Sequence, residues 1–328
     1  MSSNERKLKF VFAINEALHQ MMELDDSVFL IGQGVKSPWY VGSTADGLLE
    51  KFGKDRVIDT PVSENAITGS AVGAALAGMR PVVVHPRMDF MLYAFDPIIN
   101  EAANWRYMCG GAASVPVVFW GIINRGGEQG AQHSQAFHAL FSHIPGLKVV
   151  MPSTPYDAKG LLISAIKDDN PVVYIDDRWL YGLEEAVPED IYEVPIGEAV
   201  IRKEGKDITL ISVSYMAYET QIAAQSLLNV GVDAEVIDLR TIKPLDENTI
   251  LKSVKKTGRV VVIDGGWKHN GISAEVSALI AEKGFHFLKN RIERITLPEC
   301  PAPASRTLEE AYYPKSDDIV KTVINLLN

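Results

Sequence analysis

Short β-branched runs alternate with helical segments along almost the whole chain, and that alternation leaves few folds open. Val28 to Ile31, Arg56 to Ile58, Pro81 to Val84, Val115 to Trp120, Leu147 to Val150 and Pro171 to Ile175 read as buried strands. Helical patterns separate them. In Phe10 to Met22 the apolar residues Phe10, Ala13, Ile14, Ala17, Leu18 and Met21 share one face. Phe90 to Met108 reads as one long helix and Tyr156 to Lys167 as another. Strands apolar on both faces, with helices between them, belong to a parallel sheet covered on both sides.

Between about Tyr181 and Val194 charge and proline rise and periodicity stops, which marks a linker. The alternation resumes with strands at Ile208 to Val213, Ala234 to Asp238 and Arg259 to Ile263. The matching helices are Ala217 to Asn229, Asn248 to Lys256, Gly271 to Lys283 and Asp317 to Leu327. The expectation is an α/β protein with two parallel-sheet domains, residues 1–187 and 188–328. A chain of 328 residues is long enough for two such cores.

A formal charge of −10 argues against nucleic acid or an acidic membrane surface as a partner. Cys109 and Cys300 are the only cysteines and show no metal or redox spacing, which suits a reducing compartment. The polar start, MSSNERKLKF, has no apolar signal core, and no later segment is long enough to span a bilayer. A cytoplasmic protein is expected. Gly32-Gln33-Gly34-Val35-Lys36-Ser37 partly matches the dinucleotide-binding glycine pattern. Pro38, Trp39 and Tyr40 follow where the phosphate-binding helix should begin, and Ser37 replaces the last glycine, so the match is rejected.

Two stretches carry candidate chemistry. In RVIDTPVSENAITGSAVGAALAG, Arg56 to Gly78, a strand breaks at Pro61 and a helix of very small residues follows. Such a helix lets a backbone or a flat ligand come close. Glu64 stands at its start behind Ser63, a potential cap. Locally, Glu64 fits both a carboxylate that complements the helix dipole and a working carboxylate on a rigid element. The second stretch, Gly121 to Gln135, is a glycine-rich polar loop after a strand, where open parallel sheets place ligands. It contains His133.

Several motifs in order carry a family resemblance over nearly the whole chain. They are Asp59-Thr60-Pro61-Val62-Ser63-Glu64, Ala131-Gln132-His133-Ser134-Gln135, Pro145-Gly146-Leu147-Lys148-Val149-Val150, Asp157-Ala158-Lys159-Gly160-Leu161 and Asp238-Leu239-Arg240-Thr241-Ile242-Lys243-Pro244. The chain resembles the β subunit of the thiamine-diphosphate-dependent first component of 2-oxo acid dehydrogenases, of the pyruvate and acetoin dehydrogenase type. The resemblance implies a transketolase-like pyrimidine-binding domain followed by a transketolase C-terminal domain, in an α₂β₂ heterotetramer.

It also implies roles. Glu64 would bond the aminopyrimidine ring nitrogen and favour the tautomer that removes the thiazolium C2 proton, which is positioned acid–base work. Phe90 would stack on the aminopyrimidine; on its own it also fits a core residue at a helix start. His133 would face the substrate and the incoming lipoyl group. Val117, Ala165, Ile166, Asp168 and Asn170 correspond to a monovalent-cation (K⁺) site built mostly from backbone carbonyls. The Gly-Asp-Gly segment that holds Mg²⁺ and the diphosphate is missing, since Asp264-Gly265-Gly266 lacks the pattern. The family's α subunit carries that half, so this chain should be inactive alone.

The chain departs from the dehydrogenase pattern where Gln33-Gly34 and Val84 replace acids. Trp39, Tyr40, His85, Arg87 and Asp89 enrich the same region. Three functions stay open. The first is decarboxylation of a small 2-oxo acid, with acyl transfer to the lipoyl group of an acyltransferase. The second is transfer of a two-carbon unit to a keto sugar or other polar carbonyl. The third is a non-catalytic scaffold.

Overall fold

The strand-rich alternation produces two sheets and one short ribbon. The computed structural model describes residues 6–328; the polar start read at residues 1–5 lies outside them. Seven strands form the larger sheet, in the order Thr241–Lys243, Lys148–Val150, Val172–Asp177, Val118–Ile123, Arg80–His85, Val28–Gln33 and Val57–Thr60. All neighbours run parallel except Thr241–Lys243, which lies antiparallel to Lys148–Val150. The smaller sheet orders Glu293–Leu297, Val260–Trp267, Ile208–Ser212, Ala234–Asp238 and Val200–Lys203, with the last strand antiparallel.

Of the edge strands, Thr241–Lys243, Val200–Lys203 and Glu293–Leu297 are short and polar at several positions, so hydrophobic pattern does not reveal them. The stretch read as a linker also contains structure. Its Glu184–Ala186 pairs antiparallel with Lys7–Lys9 and ties the two ends of the first unit together.

Central strands are largely apolar because both faces are covered. Val118–Ile123 and Val172–Asp177 are buried at every position. The helix Phe10–Leu24 lays the expected face, including Phe10, Ile14, Leu18 and Met21, into one of the two cores flanking the larger sheet. The strand expected at Val115 to Trp120 instead occupies Val118–Ile123. Pro116 has no N–H for the ladder, which accounts for the later start.

The long helix expected over Phe90 to Met108 is broken. Met88–Ala94 is a 3₁₀ helix, Asp96–Ala102 has π geometry, and only Ala103–Met108 is α-helical. Pro97 removes one donor and crowds the preceding turn, so a regular α ladder cannot pass. Gly121 fits under this segment: a Cβ there would meet Met91 Sδ at 2.5 Å.

The chain order of the larger sheet reverses between Val28–Gln33 and Arg80–His85. From the first strand the chain passes to one neighbour, Val57–Thr60; from the second it passes the other way, to Val118–Ile123. Segments leaving two such strands diverge, and a crevice opens at their carboxyl ends. Gly32 lets the two strands approach, since a Cβ would meet the Val84 carbonyl oxygen at 2.5 Å.

A buried ion cluster joins the two units. Arg202 bonds Asp157 and donates to Asp238 Oδ2 at 2.9 Å, while Arg240 reaches Asp157 Oδ1 at 3.2 Å. Both aspartate side chains are fully buried. Burial pushes the Asp238 carboxyl above the ordinary range, against the pull of Arg202.

Two outcomes follow from this packing. Asp238→Ala leaves Arg202 short of half its counter-charge, and breaking a buried pair costs about 3–5 kcal/mol. A large drop in the urea or thermal midpoint is expected; a midpoint unchanged from wild type would show the cluster to be dispensable. His85 ends its strand fully buried with Thr68 Oγ1 at 3.3 Å, and burial pushes the imidazole down to about 4 from 6.5. Between those values the unfolded chain binds the proton and the folded one does not. Stability is therefore full above about pH 6.5 and falls as pH drops toward 4. Thermal midpoints at pH 5 and pH 7 should differ less in His85→Gln than in wild type.

Candidate active site

Three distant segments meet at the crevice. Glu64 opens the helix Glu64–Leu76, Phe90 sits in the 3₁₀ segment after strand Arg80–His85, and His133 lies on the loop after Val118–Ile123. All three line one cavity of about 680 Å³ and are half-buried. The Phe90 and His133 rings meet edge to face at 5.4 Å between centroids. A carboxylate, an aromatic face and an imidazole thus open onto a single volume.

Ser63 precedes the helix as expected, but its hydroxyl makes no capping bond. The helix buries Ile67, Thr68, Ala71, Val72 and Ala75 against the sheet and leaves Asn65, Gly69, Ser70 and Gly73 exposed. Small residues therefore lie on an outward face, while the carboxylate sits at the end that touches the crevice.

Of the residues that replace acids of the dehydrogenase pattern, Gln33 lines the cavity while Gly34 and Val84 do not; of those that enrich the region, Trp39, Tyr40 and Arg87 line it while His85 and Asp89 do not. The corner His85 to Asp89 is buried rather than an open polar turn. Asp89 Oδ1 accepts from the backbone N–H of Gln135 at 3.2 Å and from its side-chain amide at 2.8 Å. Its work is to hold the loop two residues beyond His133. Gln33 Oε1 is buried and has no partner.

The loop is fastened elsewhere too. Arg125 Nε donates to Asp177 Oδ2 at 2.6 Å and Nη2 to the Gly265 carbonyl at 2.9 Å; Glu128 N–H donates to Glu309 at 3.1 Å. His138, just past the loop, stands 2.9 Å from Asp264 Oδ1. That carboxylate also accepts from the backbone of Gly266 and Ser273, so Asp264 is committed to structure. Tyr93, Val62 and Gln129 complete the cavity wall. Val62 and Gln129 lay within motifs already singled out. Tyr93 did not stand out, because an unbroken helix would not have singled it out for the site.

The residues of the expected cation site gather around the end of the helix Pro155–Lys167. Arg80 donates to the carbonyls of Ile166 at 3.0 Å and Asp168 at 3.2 Å, and the Val117 carbonyl accepts from Val172 N–H at 3.0 Å. The Asp168 carboxylate takes Asn170 N–H at 2.9 Å and bonds Lys148. A cation of the chain itself thus engages two of those carbonyls. Among the described residues no group of three or more His, Cys, Asp or Glu side chains could hold a metal ion. No helix among them is long and apolar enough to cross a membrane.

Known proteins resemble the chain along most of its length. Residues 6–182 match the transketolase pyrimidine-binding domain and residues 197–319 the transketolase C-terminal domain. The β subunit of acetoin:2,6-dichlorophenolindophenol oxidoreductase from Cupriavidus necator is 46% identical over 324 residues, 96% of each chain. The pyruvate dehydrogenase E1 β subunit of Rickettsia felis is 42% identical over 311 residues, 95% of each. A split-gene transketolase, solved as an inactive β4 tetramer, superposes with a TM-score of 0.79 at 21% identity, covering 98% of both chains, and shows the fold. With both domains matched in order and relatives at 42–46% identity along nearly the full length, the chain belongs to the transketolase-like family that includes the β subunits of pyruvate dehydrogenase E1 and of acetoin oxidoreductases.

Proposed function

We propose that this chain is the β subunit of a thiamine-diphosphate-dependent 2-oxo acid dehydrogenase, active with an α subunit in an α₂β₂ assembly. One observation carries the reading: Glu64, Phe90 and His133, from three separate segments, line the same cavity. The residues suit the aminopyrimidine half of the cofactor. They offer a carboxylate for a ring nitrogen, an aromatic face for stacking and an apolar rim with Val62 and Tyr93. When bound, thiamine diphosphate supplies the nucleophilic carbon that attacks the 2-oxo carbonyl.

The chain's own residues position and protonate. Glu64, fixed at a helix start, holds a proton at the ring nitrogen, and Phe90 keeps water off the ring face. His133 stands at the edge of Phe90, where it can move a proton on the substrate side. The reading places Mg²⁺ with the α subunit. It keeps K⁺ at the turn 165–170, where Arg80 already engages two carbonyls. It assigns residues 1–187 to the pyrimidine-binding domain and 188–328 to the C-terminal domain. A reducing, cytoplasmic setting suits the unpaired Cys109 and Cys300.

The acyl unit passes to a lipoyl acyltransferase in this reading. A second acceptor, a polar carbonyl compound such as a keto sugar, is favoured by the cavity wall. Uncharged Gln33, with an unpartnered amide oxygen, lies there beside Arg87, Trp39 and Tyr40.

The test is co-expression with the α subunit, followed by assay of 2-oxo acid decarboxylation with and without a lipoyl domain. Glu64→Gln conserves volume but loses the proton at the ring nitrogen. Turnover should fall ~10²-fold or more while the cofactor still binds; near-normal turnover would remove Glu64 from the mechanism. His133→Ala should leave cofactor affinity and the first turnover of decarboxylation nearly intact while slowing acyl transfer. A change confined to cofactor affinity would make His133 a structural residue.

A further inference from the structure

The cavity contains one charge that the proposed reaction leaves unused. Arg87 is 5% exposed and lines the cavity, yet it forms no ion pair among the described residues. Its Nη1 donates to the Pro86 carbonyl at 2.6 Å, its Nη2 reaches Gln129 Oε1 only at 3.5 Å, and its Nε has no partner. Glu64 shares the cavity wall without pairing to it, and Asp89 binds Gln135 through Oδ1 and makes no ion pair with Arg87 through its unpartnered Oδ2.

Arg178 adds to the positive field. Its guanidinium donates to the carbonyls of Trp39 at 3.2 Å and Tyr40 at 2.7 Å, two residues of the same cavity, and its Nε is also unpartnered. Burial, and then repulsion from Arg178, hold the Arg87 guanidinium below its ordinary value, against the pull of the Asp89 carboxylate. A buried guanidinium with no ion-pair partner is costly, and the cost is offset when a ligand brings an anion that bonds it.

We propose that Arg87, with Arg178 behind it, forms an oxyanion subsite for a carboxylate or phosphate that a substrate carries away from its reacting carbonyl. The assignment rests on the thiamine reading of the cavity. The carboxylate lost as carbon dioxide is a poor occupant, because a cation bonded to it would stabilise the ground state against the transition state. A second anion suits the site. It is either the distal carboxylate of a dicarboxylic 2-oxo acid donor or a phosphate on the carbonyl acceptor. The guanidinium fork bonds both in the same bidentate way.

The experiment uses the α/β complex in wild-type, Arg87→Gln and Arg87→Lys forms. One arm compares kcat/KM for monocarboxylic and dicarboxylic 2-oxo acids by carbon dioxide release. The other compares a neutral keto sugar with its phosphate ester as acceptor. In one arm the wild type should prefer the anionic member. Arg87→Gln should cut that member by about 10- to 100-fold and the neutral member far less, with Arg87→Lys restoring part of the loss. The responding arm identifies the source of the anion. Equal losses for both members of both pairs, or no wild-type preference, would overturn the subsite; a partner-subunit carboxylate covering Arg87 would give that result. A third arm needs no cofactor: inorganic phosphate should raise the thermal midpoint of the full chain but not that of Arg87→Gln. Equal protection of both forms counts against the proposal. A wild-type complex that decarboxylates no 2-oxo acid would count against the thiamine reading, while the phosphate arm still decides Arg87.

Discussion

The buried charges between the two units are the constraint on which the rest depends. Asp157 comes from a helix of the first unit; Asp238, Arg202 and Arg240 come from the second. None of the four would be stable in an apolar interior without the others, so the cluster fixes the relation of the two sheets. The chain leaving Asp238 then adds Thr241–Lys243 to the edge of the first sheet. Ion pairing and backbone pairing act at the same place and allow one docking of the second unit. Through that docking Gly265 and Glu309 reach the loop that bears His133, and Asp264 reaches His138 just past it.

The site depends on this arrangement because only Glu64 stands on a regular helix. Phe90 rides on a 3₁₀ segment that Pro97 separates from the α-helix beyond it, and His133 on a loop. Neither could hold its place by local structure alone. Asp89 ties the two together by its bonds to Gln135, and Arg125 secures the far side of the loop on Asp177. Burial pushes the Asp89 carboxyl up. The group is held in an unfavourable setting by what it fastens.

Much of the architecture was legible in the sequence because burial writes itself into composition. Strands covered on both faces are mostly apolar, and Val28, Val82, Phe119 and Val173 announce them. Edge strands such as Val200–Lys203 and Glu293–Leu297 carry charged or exposed residues and left no comparable pattern. The break at Pro97 was present in the sequence but outweighed by the apolar periodicity around it. The docking cluster is legible only in part, since the motifs containing Asp157 and Asp238 carry the family resemblance but no local pattern records their contact.

Sequence alone determined the α/β class and the two-part organisation, because residue type and spacing encode burial, and its resemblance to a known family marked Glu64, Phe90 and His133 as candidates. Tertiary structure alone decided which neighbours share their cavity. It turned Asp89 and His85 inward, where they serve packing and loop anchorage, and left Arg87 and Gln33 on the wall. Residues one or two apart in an irregular corner differ in direction by backbone geometry that no local pattern records. The distinction between a residue that meets a ligand and one that holds the wall therefore emerges only when the strands and loops are assembled.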